Sequence, residues 1–173
     1  MGLFNRRFAS LLTAAVAVQG GTHIFATAFV PSMLPSMISQ QQHYLSSSSD
    51  DPRGFRNIGW REMVDIVDQL EDGSDDYCVI DVRTVPEVQA TGALGTGIHV
   101  IAVQDIMQRN VFGMDADDFE QEYGFEKPLP DQPIVFTCAA GIRSVYACQA
   151  AAAAGYTQLI NYTGGANEWF SKQ

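Results

Sequence analysis

A chain of 173 residues, 46% of them apolar, has room for one globular domain with a buried core behind a leader. The formal charge is −10, and since Arg6 and Arg7 are the only charged residues among residues 1–49, residues 50–173 carry −12. A body this acidic argues against nucleic acid, and against an anionic membrane for the mature form, because both need a basic footprint. Cys78, Cys138 and Cys148 form no Cys-x-x-Cys pair and His23, His43 and His99 are scattered, which disfavours a disulfide scaffold and offers no metal-ligand spacing. A reducing compartment is expected, and no cofactor.

Residues 1–53 read as a targeting leader and disordered linker. Met1–Arg7 is short and basic, and Phe8–Val18 is apolar but too short for a permanent membrane span. Ala26-Thr27-Ala28 supplies a small-x-small cleavage pattern, so the leader is signal-like to about residue 28 and transit-like after it, free of acids through Ser49 and rich in Ser, Gln and Met. The junction with Phe29-Val30-Pro31 resembles the signal-plus-transit leaders of algae with complex plastids, which favours a plastid; the mitochondrion is the alternative. Met1-Gly2 does not make a myristoylation signal, since Arg6 stands where Ser or Thr is needed.

Residues 54–173 alternate helices and strands. Trp60, Met63, Val64, Val67 and Leu70 recur at helical spacing between acids, predicting an amphipathic helix that ends at the Glu71–Asp76 turn. Tyr77–Val82 reads as a strand buried on both faces. A short helix is expected over Val85–Ala90, loop over Gly92–Gly97, and a second apolar strand over Ile98–Val103. Asp115–Tyr123 is a helix with acids in its first turn, where the dipole favours them. Three prolines lead into the Ile134–Thr137 strand, an alanine-rich helix runs from Ser144 to Gly155, Thr157–Tyr162 is the last strand, and Gly164-Gly165 opens a terminal helix bearing Trp169 and Phe170. Such alternation predicts an α/β fold with a mostly parallel sheet and helices on both faces. Its ligand crevice lies beyond the carboxyl ends of the strands, the rim that holds Asp81, Arg83 and Cys138.

Cys138 is the chemically informative residue. A strand, a loop of small residues and a helix start place its sulfur against unpaired backbone N–H groups, which stabilise an anion. A free thiol ionises near pH 8.5, and such surroundings lower this to about 3.5–7.5. A drop of two units corresponds to about 2.7 kcal/mol in favour of the thiolate. The amides of Ala139, Ala140, Gly141, Ile142, Arg143 and Ser144 are expected to form that nest, and small side chains at 139–141 let the backbone approach closely.

Asp81-Val82-Arg83, Glu87, the Gly92–Val100 stretch, Cys138–Ser144 and Gly164–Trp169 resemble, in order, the rhodanese domain, over nearly the whole body from Trp60 to Phe170. The likeness is greatest to small eukaryotic single-domain thiosulfate sulfurtransferases, which share the insert seen here over residues 115–130. The resemblance implies a rhodanese-like sheet of about five mostly parallel strands. It also implies a catalytic Cys138 that takes a sulfane sulfur from thiosulfate or a persulfide, holds it as a persulfide, and passes it to cyanide or a thiol such as glutathione or thioredoxin. Residues 139–144 would bind the substrate, with Asp81 and Arg83 in support. A loop of six residues from Cys138 to Arg143 is the length found in sulfur-transferring members; related phosphatases carry one more. The alternatives are a catalytically idle module that binds a partner protein and, disfavoured by loop length, a cysteine-dependent phosphatase or arsenate reductase.

Within this frame Arg143 is expected to brace the loop with some donor contact, and Ser144 to cap its helix rather than to meet the sulfur. Cys78, Trp169 and Phe170 are expected in the core, and Cys148 in core or surface packing rather than as a resolving thiol. Two departures from the family pattern, Gly95-Thr96-Gly97 for a Pro-Gly-Ala turn and Ile101 for a proline, bear on loop stiffness. The loop also lacks a basic residue before Arg143, where good users of thiosulfate often carry one, which implies that persulfides are the more natural donors.

Overall fold

The computed structural model describes residues 50, 51 and 54–173. Apart from residues 50 and 51, the leader expected over 1–53 lies outside the described residues.

Six strands form one sheet: β1 (Asp50–Asp51), β2 (Phe55–Ile58), β3 (Cys78–Asp81), β4 (His99–Val100), β5 (Ile134–Thr137) and β6 (Leu159–Tyr162), in the order β1-β2-β6-β5-β3-β4. Strands β2 to β6 are all parallel, and the two-residue β1 adds an antiparallel edge. The helices are α1 (Trp60–Glu71), α2 (Val85–Thr91), α3 (Val103–Arg109), α4 (Ala116–Tyr123), α5 (Arg143–Ala153) and α6 (Gly165–Ser171), with a single 3-10 turn at Val111–Gly113. Every residue of β3, β5 and β6 is buried. That is what a run without polar alternation requires when both faces are covered.

Alternate side chains of the central strands feed two cores. Ile80, Ile134 and Phe136 face a cluster with Ile106, Phe112, Phe119 and Cys148, contributed by α3, the 3-10 turn, α4 and α5. Val79, Val135 and Ile160 face Met63, Ile66 and Val67 of α1 and Trp169 of α6. Burying one large aliphatic side chain contributes about 1.5–3 kcal/mol, so these two clusters hold the layers together.

Local signals explain several helix ends. The Asp115 carboxylate accepts from the Asp117 N–H to cap α4, which stops at Gly124 in the left-handed region, φ 77°. Thr84 and Glu87 close a capping box on α2, with Pro86 in the first turn.

Two expectations are corrected, and one strand is added. The strand predicted over Ile98–Val103 is only two residues long, and Val103 already opens α3. Ile101 N–H donates to Asp81 O and Val103 N–H to Val82 O, so this edge leaves the sheet early, and Val103 and Ile106 turn inward at helical spacing. Strand β2 was not foreseen, because Phe-Arg-Asn-Ile offers only two apolar residues. Phe170 is 37% exposed, outside the core that receives Trp169. Among the described residues no helix is long and apolar enough to cross a membrane.

Candidate active site

Parallel register sets the site. Asp81 lies opposite Thr137 at the carboxyl ends of β3 and β5, so the residues that follow, Val82-Arg83 and Cys138, emerge side by side. The turn from Cys138 to Arg143 is held from behind. Ala166 N–H donates to Cys138 O at 2.8 Å and Asn167 N–H to Ala139 O at 2.9 Å, so the first turn of α6 grips the loop's carbonyls. Two glycines permit this approach. A Cβ on Gly165 (φ 59°) would stand 2.5 Å from Cys138 O, and one on Gly141 (φ 72°) would run into the Thr163 carbonyl.

The Cys138 side chain is 1% exposed and lies beneath this loop. Burial pushes its thiol up, but the Ser144 hydroxyl and the backbone N–H groups of Ser144, Ala140 and Arg143 outweigh burial and hold it below the ordinary thiol value. Ser144 Oγ donates to Sγ at 3.6 Å. Of the six residues expected to contribute amides, these three do. Ile142 opens α5 with no side-chain cap, and Ser144 sits fully buried inside the first turn. The expectation that Ser144 caps the helix is therefore wrong: its hydroxyl is spent on the sulfur, because the turn aims it inward.

The other two cysteines differ in kind. Burial pushes Cys78 up to about 12 and Cys148 higher still, with no comparable set of donors. At neutral pH both are inert core thiols.

Asp81 and Arg83 form a buried pair at the rim. Arg83 Nε donates to both Asp81 carboxylate oxygens at 3.0 and 2.8 Å, and its Nη2 lies 2.6 Å from Oδ2. The remaining donors reach Thr91 Oγ1 at 2.6 Å and Gly92 O at 3.0 Å, tying the end of α2 to the strand. Both side chains are thus committed to one another and to the end of α2. Arg143 Nη1 and Nη2 donate to the two carboxylate oxygens of Glu87 at 3.0 and 2.7 Å, so this guanidinium spans from the loop to α2. The bond from Arg143, then those from the Thr84 N–H and hydroxyl, lower the Glu87 carboxyl to about 2. Sequence reasoning gave Glu87 no partner, although Thr84-x-x-Glu87 is a capping-box pattern that marks where this carboxylate is held. His99 stacks on Phe125 at 3.6 Å between ring centroids, and burial lowers it. Among the described residues no group of three His, Cys, Asp or Glu is placed to hold a metal ion.

The arrangement is a donor-lined seat for one sulfur anion. Replacing Ser144 by alanine is expected to raise the Cys138 pKa and move the rise of its alkylation rate with pH to higher pH. At neutral pH the reaction with iodoacetamide should slow several-fold, up to about tenfold. An unchanged pH profile would remove the hydroxyl from the thiolate's support.

Residues 64–172 match the rhodanese-like domain family. A rhodanese domain-containing protein of Drosophila melanogaster is 35% identical over 98 residues, which are 57% of this chain and 86% of that one. The thiosulfate:glutathione sulfurtransferase of Homo sapiens is 36% identical over 99 residues, 55% of this chain and 80% of the other. The thiosulfate sulfurtransferase RDL2, mitochondrial, of Saccharomyces cerevisiae is 28% identical over 103 residues, 60% of this chain and 66% of that one. The solved structure of RDL2 superposes with a TM-score of 0.59 at 26% identity, covering 70% of this chain and 94% of the other.

Proposed function

The chain belongs to the rhodanese-like domain family, and from that premise we propose that residues 54–173 are a sulfurtransferase domain working through Cys138. The observation that carries the proposal is the seat of the sulfur: a buried cysteine whose thiol is lowered first by a hydroxyl and three backbone amides. The Cys138 thiolate attacks the outer sulfur of a donor such as thiosulfate. The donor's S–S bond breaks, sulfite leaves with the bonding pair, and Cys138 becomes a persulfide anion in the same cradle. A thiolate acceptor or cyanide then attacks the terminal sulfur, giving a new persulfide or thiocyanate and returning the Cys138 thiolate. Glutathione is the acceptor that the human relative's name supports, and a thioredoxin thiol would serve the same chemistry. Asp81 and Arg83 brace the neighbouring strand end, and Arg143 lines the approach to the sulfur.

The deciding experiment is mass spectrometry of the protein after thiosulfate treatment and desalting. An addition of about 32 Da, one sulfur, mapped to Cys138 is expected; its absence, or its presence on another residue, would overturn the proposal.

Residues 1–53 are proposed as an organelle-targeting leader. The plastid reading rests on the Ala28-Phe29 junction, whereas the relative named as mitochondrial supports the other destination. Residues 1–53 fused to a fluorescent reporter should deliver it to one of these organelles; a diffuse cytosolic signal would refute the leader.

A further inference from the structure

Both cations beside the Cys138 loop are already cancelled. Arg83 is 2% exposed, with its donors committed to Asp81, Thr91 and Gly92. Arg143, the only charged side chain of the loop itself, has both terminal nitrogens on Glu87. Glu87 is not there by chance rotation: its Oε2 also accepts from Thr84 N–H at 2.9 Å and Thr84 Oγ1 at 2.8 Å, which fixes the carboxylate in the first turn of α2. Beside this neutral pair the loop presents apolar surface, with Ile142 67% exposed and Tyr146 52% exposed one helical turn further on. The protein around it is strongly acidic. A small dianion therefore meets at the sulfur an Arg143 charge already countered by Glu87, while an apolar carrier meets a matching surface.

We propose that Glu87 sets the charge selectivity of the sulfur site, holding Arg143 in a two-point ion pair so that uncharged, apolar sulfur carriers are favoured over small dianions such as thiosulfate. The inference rests on the sulfur-transfer reading above and names the substrate class of that same site. Glu87 acts through Arg143 and touches no reacting atom, so it is a specificity-determining residue and not a catalytic one.

Glu87→Gln tests it, since glutamine keeps the length and one acceptor oxygen for the Thr84 N–H, and loses the charge together with the second acceptor that Arg143 meets. With Arg143 released, the KM for thiosulfate in persulfide formation is expected to fall about fivefold with kcat little changed. Discharge of the preloaded persulfide by 2-mercaptoethanol, an uncharged thiol, should keep its rate. Sulfate, an unreactive dianion, should protect Cys138 from iodoacetamide at a correspondingly lower concentration. Glu87→Asp, which keeps the charge, should show no such gain. A thiosulfate KM and a protecting sulfate concentration that stay level or rise in Glu87→Gln overturn the proposal, because a merely loosened loop would bind every ligand less well. If the wild-type chain forms no persulfide at all, the sulfur-transfer reading falls, and sulfate protection still decides the role of Glu87.

Discussion

Cys138→Ser is expected to abolish cyanide-dependent and thiol-dependent sulfur transfer, by more than about a thousandfold, while the chain still folds. Serine is nearly isosteric, and the site is fixed by backbone bonds to α6 that the substitution leaves untouched. What disappears is the low-lying thiolate. No other thiol among the described residues can replace it, because burial pushes Cys78 up to about 12 and Cys148 beyond that. The check pairs a thiocyanate-forming assay with circular dichroism of both proteins. Substantial activity in a folded Cys138→Ser protein would move the chemistry elsewhere.

Asp81→Ala is expected to cost about 3–5 kcal/mol of stability, because it strands the Arg83 guanidinium without its counter-charge in the interior. Both side chains are at most 2% exposed and bond at two points. The Asp81 carboxylate also accepts the Arg83 backbone N–H at 3.0 Å, so its removal leaves a second donor unmet. Urea denaturation should show a lower midpoint with an unchanged slope. Replacing both partners together, Asp81→Leu with Arg83→Met, should recover much of the loss, since no buried charge then remains. A loss below about 1 kcal/mol in Asp81→Ala would show that the pair is not a structural brace.

The parts of this molecule that were legible in the sequence are those whose signal is local. Ile134–Thr137, the small-residue loop and the alanine helix lie in one unbroken segment, so strand, turn and helix dipole could be read together and the cysteine placed among them. The parallel sheet followed from alternation and from the unbroken apolar runs of β3 and β5. What stayed hidden depends on partners distant in the chain. The pair between Arg143 and Glu87 spans 56 residues, and neither residue's neighbours announce the other. The inward turn of Ser144 is set by the seating of α5 on β5, which residue spacing alone does not determine. Val103–Arg109 misled for the opposite reason: Ile98-His99-Val100-Ile101 is locally strand-like, and only the backbone bonds to Asp81 and Val82 show where the edge ends.

Helix α6 has only seven residues, and a helix of that length has no standing of its own in water. Yet two of its amides fix the carbonyls on which the sulfur's surroundings depend. The reactive geometry is thus leased from a docked tail, and unpeeling that tail would silence the protein while its sheet was still whole. On gentle heating or in mild denaturant, inactivation should run ahead of melting, and whatever clamps the tail would guard the chemistry more than the fold.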